Sequence, residues 1–306
     1  MKRITWLGAT TAAVAVALAA GMSSCAKEKA LVDLPEGEEC RLALTASTIE
    51  TKGASVATKA TETLPAGMEV GVHIVDLTSK ETLTTATKWV NLKHVTDASG
   101  GLVYQTDASG LPIILTTGYV YDIHAYSPYQ AGLTAAGTTQ IPVSHGTDLL
   151  WAKTTGEKPN AATHKANLVF EHRMARVAFQ VVADAASTPD ITGATIKVTG
   201  FYGDGKLDLA SGKITPGTVD NTIELTETGK AICFVPREGD MELNVEVTVP
   251  APSLNAGTYA GVIKQTFNPG ESVDITVTVI DRNSELGISA QVVKWVDKTG
   301  SVDVNN

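Results

Sequence analysis

Hydrophobic residues alternate with polar ones over short stretches of this chain, and Gly, Pro, Asn and Asp separate these stretches. A period of two is typical of β-strands with one buried face. No stretch of ten or more residues combines a helical period with caps, so the pattern predicts little helix. In the first half, strands are predicted at residues 40–48, 69–77, 87–97, 102–107, 118–129 and 147–154.

The second half repeats this pattern. Ser211-Gly212 lies between two alternating stretches, which predicts a tight hairpin. Each half holds about six or seven short strands, the content of one β-sandwich. The predicted strands of this half are residues 191–203, 205–216, 222–226, 231–236, 241–250, 259–267 and 272–280, with one or two more in the tail from 288.

The alternation changes phase inside the stretch LVFEHRMARVAFQV, residues 168–181. Leu168, Phe170 and Met174 share one face with His172, whereas Val177, Phe179 and Val181 occupy the other face. One continuous strand cannot keep both sets on one buried face. The pattern therefore predicts two domains, 40–174 and 175–306, joined without a flexible linker. The alternative is a single long strand with a β-bulge.

The N-terminus has the features of a secretory signal. Lys2 and Arg3 precede an uncharged stretch that is short for a membrane span, and GMSSC follows at 21–25. Two serines lead into Cys25, which resembles the lipobox of bacterial lipoproteins, with Met22 where leucine is usual. This resemblance implies a signal peptide over 1–24, a lipid on Cys25 and a membrane tether over 25–39.

Charge and cysteine content narrow the function classes. Removal of residues 1–24 leaves 22 basic and 33 acidic residues, a net charge of −11. A surface this acidic repels phosphate backbones, so nucleic acid is not expected as a partner. Cys40 and Cys233 remain, and the sequence allows either one disulfide or two separate buried thiols.

No motif for catalysis, for a metal or for a cofactor occurs, so an enzyme is not predicted. The six histidines lack metal-ligand spacing, and His145 near Asp148 indicates a loop hydrogen bond. Glycine and acidic residues at 203–208 favour an Asp-Gly hairpin turn over a calcium loop. His172 is predicted to be a satisfied, partly buried histidine. Trp89, Trp151 and Trp295 are predicted to anchor the core.

Four stretches occur in order along the chain: TKA at 58–60 before GMEVGVHIVD, YDIHAYSPY at 121–129, DLLWAKT at 148–154 and LVFEHRMARVAFQV at 168–181. Together they resemble the fimbrillin-like proteins of Bacteroides-type bacteria, a family of type V pilus subunits, tips and anchors. The series Leu168, Phe170, His172, Ala175 and Val177 is similar to the family's L-x-F-x-H-x-x-A-x-V signature.

The resemblance implies two tandem transthyretin-like β-sandwiches and assembly by donor-strand exchange. A protease would cut the loop at 49–67, the first strand would leave, and a strand of another fimbrial subunit would enter. Leu42 and Leu44 would fill the groove before exchange. Candidate cleavage sites are Lys52, Lys59 and Arg41, and the absence of a cut is a further alternative. The candidate donor strand contains Val292, Val293, Trp295, Val302 and Val304.

The resulting prediction is an outer-membrane lipoprotein at the cell surface that is a structural subunit, tip or anchor of a fimbria and contributes to adhesion. Its expected partners are other fimbrial subunits, the outer membrane through the lipid, and a host receptor or glycan. The alternative is a stand-alone surface lipoprotein that binds a glycan or a host protein with the same sandwiches.

Overall fold

The computed structural model describes most of the chain from Asp33 onward. The described residues are 33–49, 61–105, 112–133, 138–220, 223–224, 226, 228–280 and, for the backbone alone, 286–293. Within these ranges the chain forms strands, turns and bends but no helix. The predicted all-β class is thus confirmed.

Nineteen strands occur in the described residues. They are β1 (Glu39–Ile49), β2 (Thr61–Thr63), β3 (Glu69–Asp76), β4 (Leu92–Thr96), β5 (Gly101–Tyr104), β6 (Ile114–Thr116), β7 (Tyr121–Ser127), β8 (Gln140–Ser144), β9 (Leu150–Glu157), β10 (Thr163–His172), β11 (Ala175–Ala183), β12 (Thr195–Thr199), β13 (Asp204–Asp208), β14 (Ile214–Pro216), β15 (Ala231–Phe234), β16 (Asp240–Val249), β17 (Gly257–Thr266), β18 (Ser272–Val279) and β19 (Leu286–Val293).

The strands form four sheets. The largest contains nine strands in the order β10-β9-β7-β3-β4-β5-β1-β2, with β6 also on β1 and an additional pairing between β1 and β10. The second half contributes a four-stranded sheet, β15-β11-β18-β19, and a three-stranded sheet, β12-β16-β17. A small sheet, β14-β13-β8, combines strands from both halves of the chain.

Each half has a hydrophobic core of its own. The core of the first half draws on β1, β3, β5, β6, β7, β9 and β10. The core of the second half lies between the four-stranded sheet and the three-stranded sheet, as in a β-sandwich. Strand β16 illustrates the sequence logic, because its burial alternates from Met241 to Val249 with polar residues between the buried ones.

A third cluster, the shared cluster, lies where the two halves meet. Its buried members are Tyr126, Ile141, Val143, Leu149, Met174, Leu207, Leu209, Ile214 and Val235. They cover the face of β7 that points away from the first core, and β8 pairs with β13 across the same region. Both faces of β7 are therefore buried.

The phase change at residues 172–175 coincides with a change of sheet. Strand β10 ends at His172 in the nine-stranded sheet, and β11 begins at Ala175 in the four-stranded sheet. Met174 lies between them, fully buried in the shared cluster. The division into two sandwich domains at residue 174 stays a prediction, because the shared cluster takes side chains from both sides.

Polar contacts also fix the β13–β14 hairpin against the first half. The carbonyl oxygen of Leu209 accepts hydrogen bonds from His124 Nδ1 at 3.2 Å and from Trp151 Nε1 at 2.9 Å. The guanidinium of Arg173 lies 4.5 Å from the centre of the Trp151 ring. The predicted tight hairpin at Ser211-Gly212 is confirmed, with Gly212 at φ +71°.

The structure differs from the sequence predictions at several strands. The predicted strand 87–97 is limited to β4, because Asn91 adopts φ +52° and so interrupts an extended backbone. Strands β6 and β8 lack a predicted counterpart, and β2 falls within the predicted loop 49–67. Asp204-Gly205 does not form a turn, since both residues belong to β13 between β8 and β14.

The cysteines and tryptophans are placed as follows. Neither Cys40 in β1 nor Cys233 in β15 forms a disulfide, which leaves the predicted alternative of separate thiols. Trp89 packs partly buried against the first core and Trp151 against the shared cluster, as predicted. Trp295 lies outside the described residues.

Replacement of Gly212 by alanine tests the docking of the hairpin. A Cβ atom there would lie 2.6 Å from the Trp151 ring, and the positive φ adds backbone strain. We expect Gly212→Ala to lower the free energy of unfolding by roughly 2–4 kcal/mol, measured by denaturant titration. Gly239→Ala is the matched control, because Gly239 has φ +80° but no atom within 4 Å of a built Cβ. Equal losses in the two variants would contradict the role of this contact.

Candidate functional site

Strand β1 lies inside the nine-stranded sheet, with a hydrogen-bonded neighbour at each edge. One edge runs parallel to β10, from Arg41 opposite Thr163 to Thr48 opposite Phe170. The other edge pairs antiparallel with β6, β5 and β2 in turn. The first strand of the described chain therefore completes a sheet whose other strands follow later in the sequence.

The inward face of β1 contains more residues than the sequence analysis named. Leu44 is buried and Leu42 is partly buried, at the positions predicted to fill a groove. Cys40, Ala46 and Thr48 are buried on the same face, at 0%, 2% and 5% exposure. The period of two set by Leu42 and Leu44 predicts that these three residues face inward as well. Small and polar side chains are nevertheless hard to recognise as core residues from the sequence.

The outward face of β1 is attached to β10 by side chains. Thr45 Oγ1 donates a hydrogen bond to Asn167 Oδ1 at 3.0 Å, and Asn167 Nδ2 donates to Ser47 Oγ at 3.4 Å. Asn167 therefore bridges two alternate residues of β1. Because these groups are exposed, water competes with both bonds and their net contribution is small.

The segment before β1 is attached to the body through Thr117, which is 1% exposed. The backbone N–H of Glu38 donates to Thr117 Oγ1 at 2.9 Å, and the Thr117 N–H donates to the Glu38 carbonyl at 2.9 Å. Gly37 N–H also donates to the Thr117 carbonyl at 3.0 Å. One buried threonine thus holds the chain just before β1 begins.

The predicted processing sites differ in how the structure places them. Arg41 is exposed, but its backbone N–H donates to the Ala162 carbonyl at 3.0 Å within the paired strand. Proteases bind their substrates as extended, unpaired chains, so this bond protects Arg41 while β1 is in place. Lys52 and Lys59 lie outside the described residues, in the connection between the antiparallel strands β1 and β2.

The predicted donor residues lie at the other end of the chain. Val292 and Val293 belong to β19, where they pair with Val273 and Ser272 of β18. Their backbone is therefore part of the four-stranded sheet. Trp295, Val302 and Val304 lie outside the described residues, as does the candidate lipidation site Cys25.

The histidines outside this region form hydrogen bonds within the fold. His172, 5% exposed, forms a 2.8 Å contact between Nδ1 and Asp148 Oδ2, which confirms that it is a satisfied buried histidine. His145 lies 3.3 Å from the Gly203 carbonyl through its Nδ1. In the part of the chain that is described, no three His, Cys, Asp or Glu side chains group as a metal site, and no helix could cross a membrane.

Comparison with known proteins connects this architecture to a family. A family model described as fimbrillin-like matches residues 58–295. The chain belongs to the fimbrillin-like family. A sequence comparison with curated proteins finds no match. The family match begins after β1, so it covers the walls of the β1 position but not β1 itself.

Solved structures share the fold of this fimbrillin-like protein. A "putative cell adhesion protein" from Bacteroides ovatus superposes with a TM-score of 0.63 at 17% identity, covering 85% of this chain and 99% of that one. A protein of the same description from Bacteroides uniformis gives 0.59 at 20% identity, covering 84% and 99%. Identities this low support the fold alone, so the function must be argued from the site.

Three histidines are buried in β3, β4 and β7 of this fimbrillin-like chain. The pKa of His73, His94 and His124 is lowered from 6.5 to about 4, mainly by burial, with a smaller contribution from His124 for His73 and from Lys153 for His124. His73 and His124 are opposite each other on β3 and β7. His73 Nε2 finds no hydrogen-bond partner among the described residues, so burial of a charge there would be costly.

These histidines predict a loss of stability in mild acid. Their pKa is lower in the folded state, so between pH 6.5 and about 4 the unfolded chain binds more protons and stability falls as the pH falls. The slope is about 1.4 kcal/mol per pH unit for each histidine that titrates only in the unfolded chain. Urea titration at pH 7, 6 and 5 measures this slope. His94→Gln removes one of the titrating histidines and should reduce the slope by about 1.4 kcal/mol per pH unit. A flat profile over this range would show that the histidines are not buried as neutral groups.

Thiol labelling tests the burial of β1. Cys40 is 0% exposed and burial raises its pKa, so both access and thiolate content are low. In a Cys25→Ser, Cys233→Ser variant, we expect Cys40 to react at least about a thousandfold more slowly in buffer than in denaturant. Cys25→Ser, Cys40→Ser is the control that reports Cys233 alone. Rapid native labelling of Cys40 would mean that β1 is open most of the time.

Proposed function

We propose that this protein is a component of a cell-surface fimbria that assembles by exchange of its first strand. It would act as a structural subunit, or as a tip or anchor, and contribute to adhesion. Its family and the cell-adhesion description of its structural neighbours support the coarse function. The mechanism rests on the position of β1.

One observation supports this mechanism: β1 occupies an interior position in its sheet. On its C-terminal side, residues 50–60 are its covalent connection to the next strand. Without β1, the edge of β10 and the edges of β5 and β6 would present unpaired N–H and C=O groups on both sides of an apolar slot. An extended strand from another molecule would satisfy both edges at once.

A cut within residues 50–60 would convert β1 from a part of the chain into a bound peptide. Its departure would break the pairing with four strands and the Thr117 contacts, so cleavage alone would leave β1 in place until a competing strand arrives. Exchange therefore couples loss of the first strand to gain of a subunit.

The lipid and the donor strand are the other two parts of the proposed assembly mechanism. Cys25 precedes β1, so a lipid on Cys25 would hold the precursor at the outer membrane and would be released together with β1. Because Val292 and Val293 pair within their own sheet, Val302 and Val304 are the better donor candidates. A member whose connection stays intact would keep its lipid and serve as an anchor.

Limited proteolysis of the chain from residue 26 tests this function. We expect a lysine-specific protease to cut at Lys52 or Lys59, whereas an arginine-specific protease leaves Arg41 intact because its backbone is paired. N-terminal sequencing identifies the cut. Size-exclusion chromatography and unboiled SDS gels should then show multimers that resist detergent.

The control is Lys52→Ala, Lys59→Ala, which should remain uncut in this region and monomeric. A cut protein that stays monomeric would contradict polymerisation as a stalk subunit and favour a tip, an anchor or a stand-alone binding lipoprotein. Cutting at Arg41 before the connection would contradict the protection of β1 within its sheet.

A further inference from the structure

Side chains on β1 and β10 vary in size in opposite directions along their shared edge. Leu44 lies opposite Ala166, and two residues later Ala46 lies opposite Leu168. At the next inward position, Thr48 lies opposite Phe170. All six residues are buried, at 5% exposure or less. At these three positions a large residue on one strand is thus matched with a small one on the other, whereas the preceding pair is Leu42 opposite His164.

The second edge of β1 does not show this match of large with small residues. Leu44 is also opposite Leu102 of β5, whereas Ala46 donates its N–H to the carbonyl of Gly100 at 2.8 Å. A Cβ atom at Gly100 would approach the Ala46 carbonyl oxygen to 3.1 Å. The backbones of Ala46 and Gly100 are thus close together, and the match of large with small side chains is confined to the β10 edge.

This arrangement distinguishes the native register from its alternatives. A shift of one residue would turn the inward side chains outward. A shift of two in one direction would bring Leu44 against Leu168, and in the other direction Ala46 against Ala166. The first shift overpacks the slot and the second leaves a cavity, and both are destabilising.

We propose that the slot selects its incoming strand by the order of side-chain sizes. The fitting partner is an extended segment of another subunit that runs parallel to β10. It carries a large aliphatic residue at the position of Leu44, and small residues at the positions of Ala46 and Thr48. Ala166, Leu168 and Phe170 are the specificity-determining residues. This inference rests on the strand exchange proposed above and defines its partner.

A competition between two peptides of identical composition tests the selection. One peptide has the sequence of Glu39–Ile49, and the other carries Leu44→Ala together with Ala46→Leu. Charge, length and total hydrophobicity are equal, so only the size order differs. The protein is the full chain with a specific protease site inserted within residues 50–60, cut at that site.

The cut protein is unfolded in guanidinium and refolded with equal, excess amounts of both peptides, each with its own dye. Chromatography separates the refolded protein from free peptide, and the ratio of the two dyes on the protein gives the relative affinity of the peptides. Exchanging the dyes between the peptides controls for effects of the dyes. We expect the native order to be retained about tenfold or more over the swapped order. Equal retention would overturn the size selection and leave strand exchange standing. Retention of neither peptide would overturn strand exchange itself.

A variant of β10 gives a second test. Ala166→Leu together with Leu168→Ala exchanges the sizes within the slot at constant volume. We expect this protein to prefer the swapped peptide over the native one. An unchanged preference for the native peptide in a folded variant would show that the selection does not come from β10.

Discussion

The parallel pairing of β1 with β10 is the contact on which the first half of the structure depends. It joins residues 122 positions apart in the chain, such as Thr45 and Asn167. The sheet that β10, β9, β7, β3, β4 and β5 form is completed only when the first strand lies between its two ends. A strand that is first among the described strands but interior in the sheet could be detached by one cut in the connection that follows it. The proposed strand exchange relies on this pairing.

The shared cluster joins the two halves of the molecule through contacts that do not include β1. The Leu209 carbonyl accepts hydrogen bonds from His124 and Trp151, and Gly212 packs against the Trp151 ring. These contacts involve β7, β9 and the β13–β14 hairpin, and none of them involves β1. Replacement of β1 by another strand would therefore leave the attachment between the halves intact. In the proposed exchange, the contacts between the two halves would therefore be kept while the strand at the β1 position changes.

The buried histidines limit the conditions under which this arrangement is stable. His73 and His124 lie on the face of β3 and β7 opposite the first core, where neutral imidazole is favoured because burial penalises the charged form. For His124 part of the cover comes from the Leu209 carbonyl of the β13–β14 hairpin, whereas His73 contacts Asn91 and Tyr126 of the first half. The docking of the hairpin and the burial of neutral His124 are therefore linked.

The sequence by itself determined the all-β class, the hairpin at Ser211-Gly212, the phase change before Ala175 and the inward face of Leu42 and Leu44, because alternation and turn chemistry are local properties. The family signature also lies within one continuous stretch. Only the tertiary structure decided which strands flank β1, that Ala46 and Thr48 face Leu168 and Phe170, and that the strand predicted at 87–97 begins only after Asn91. Pairing partners and their register depend on contacts between residues far apart in the chain. A pattern with a period of two fixes which face of a strand is buried, but not which strand lies beside it.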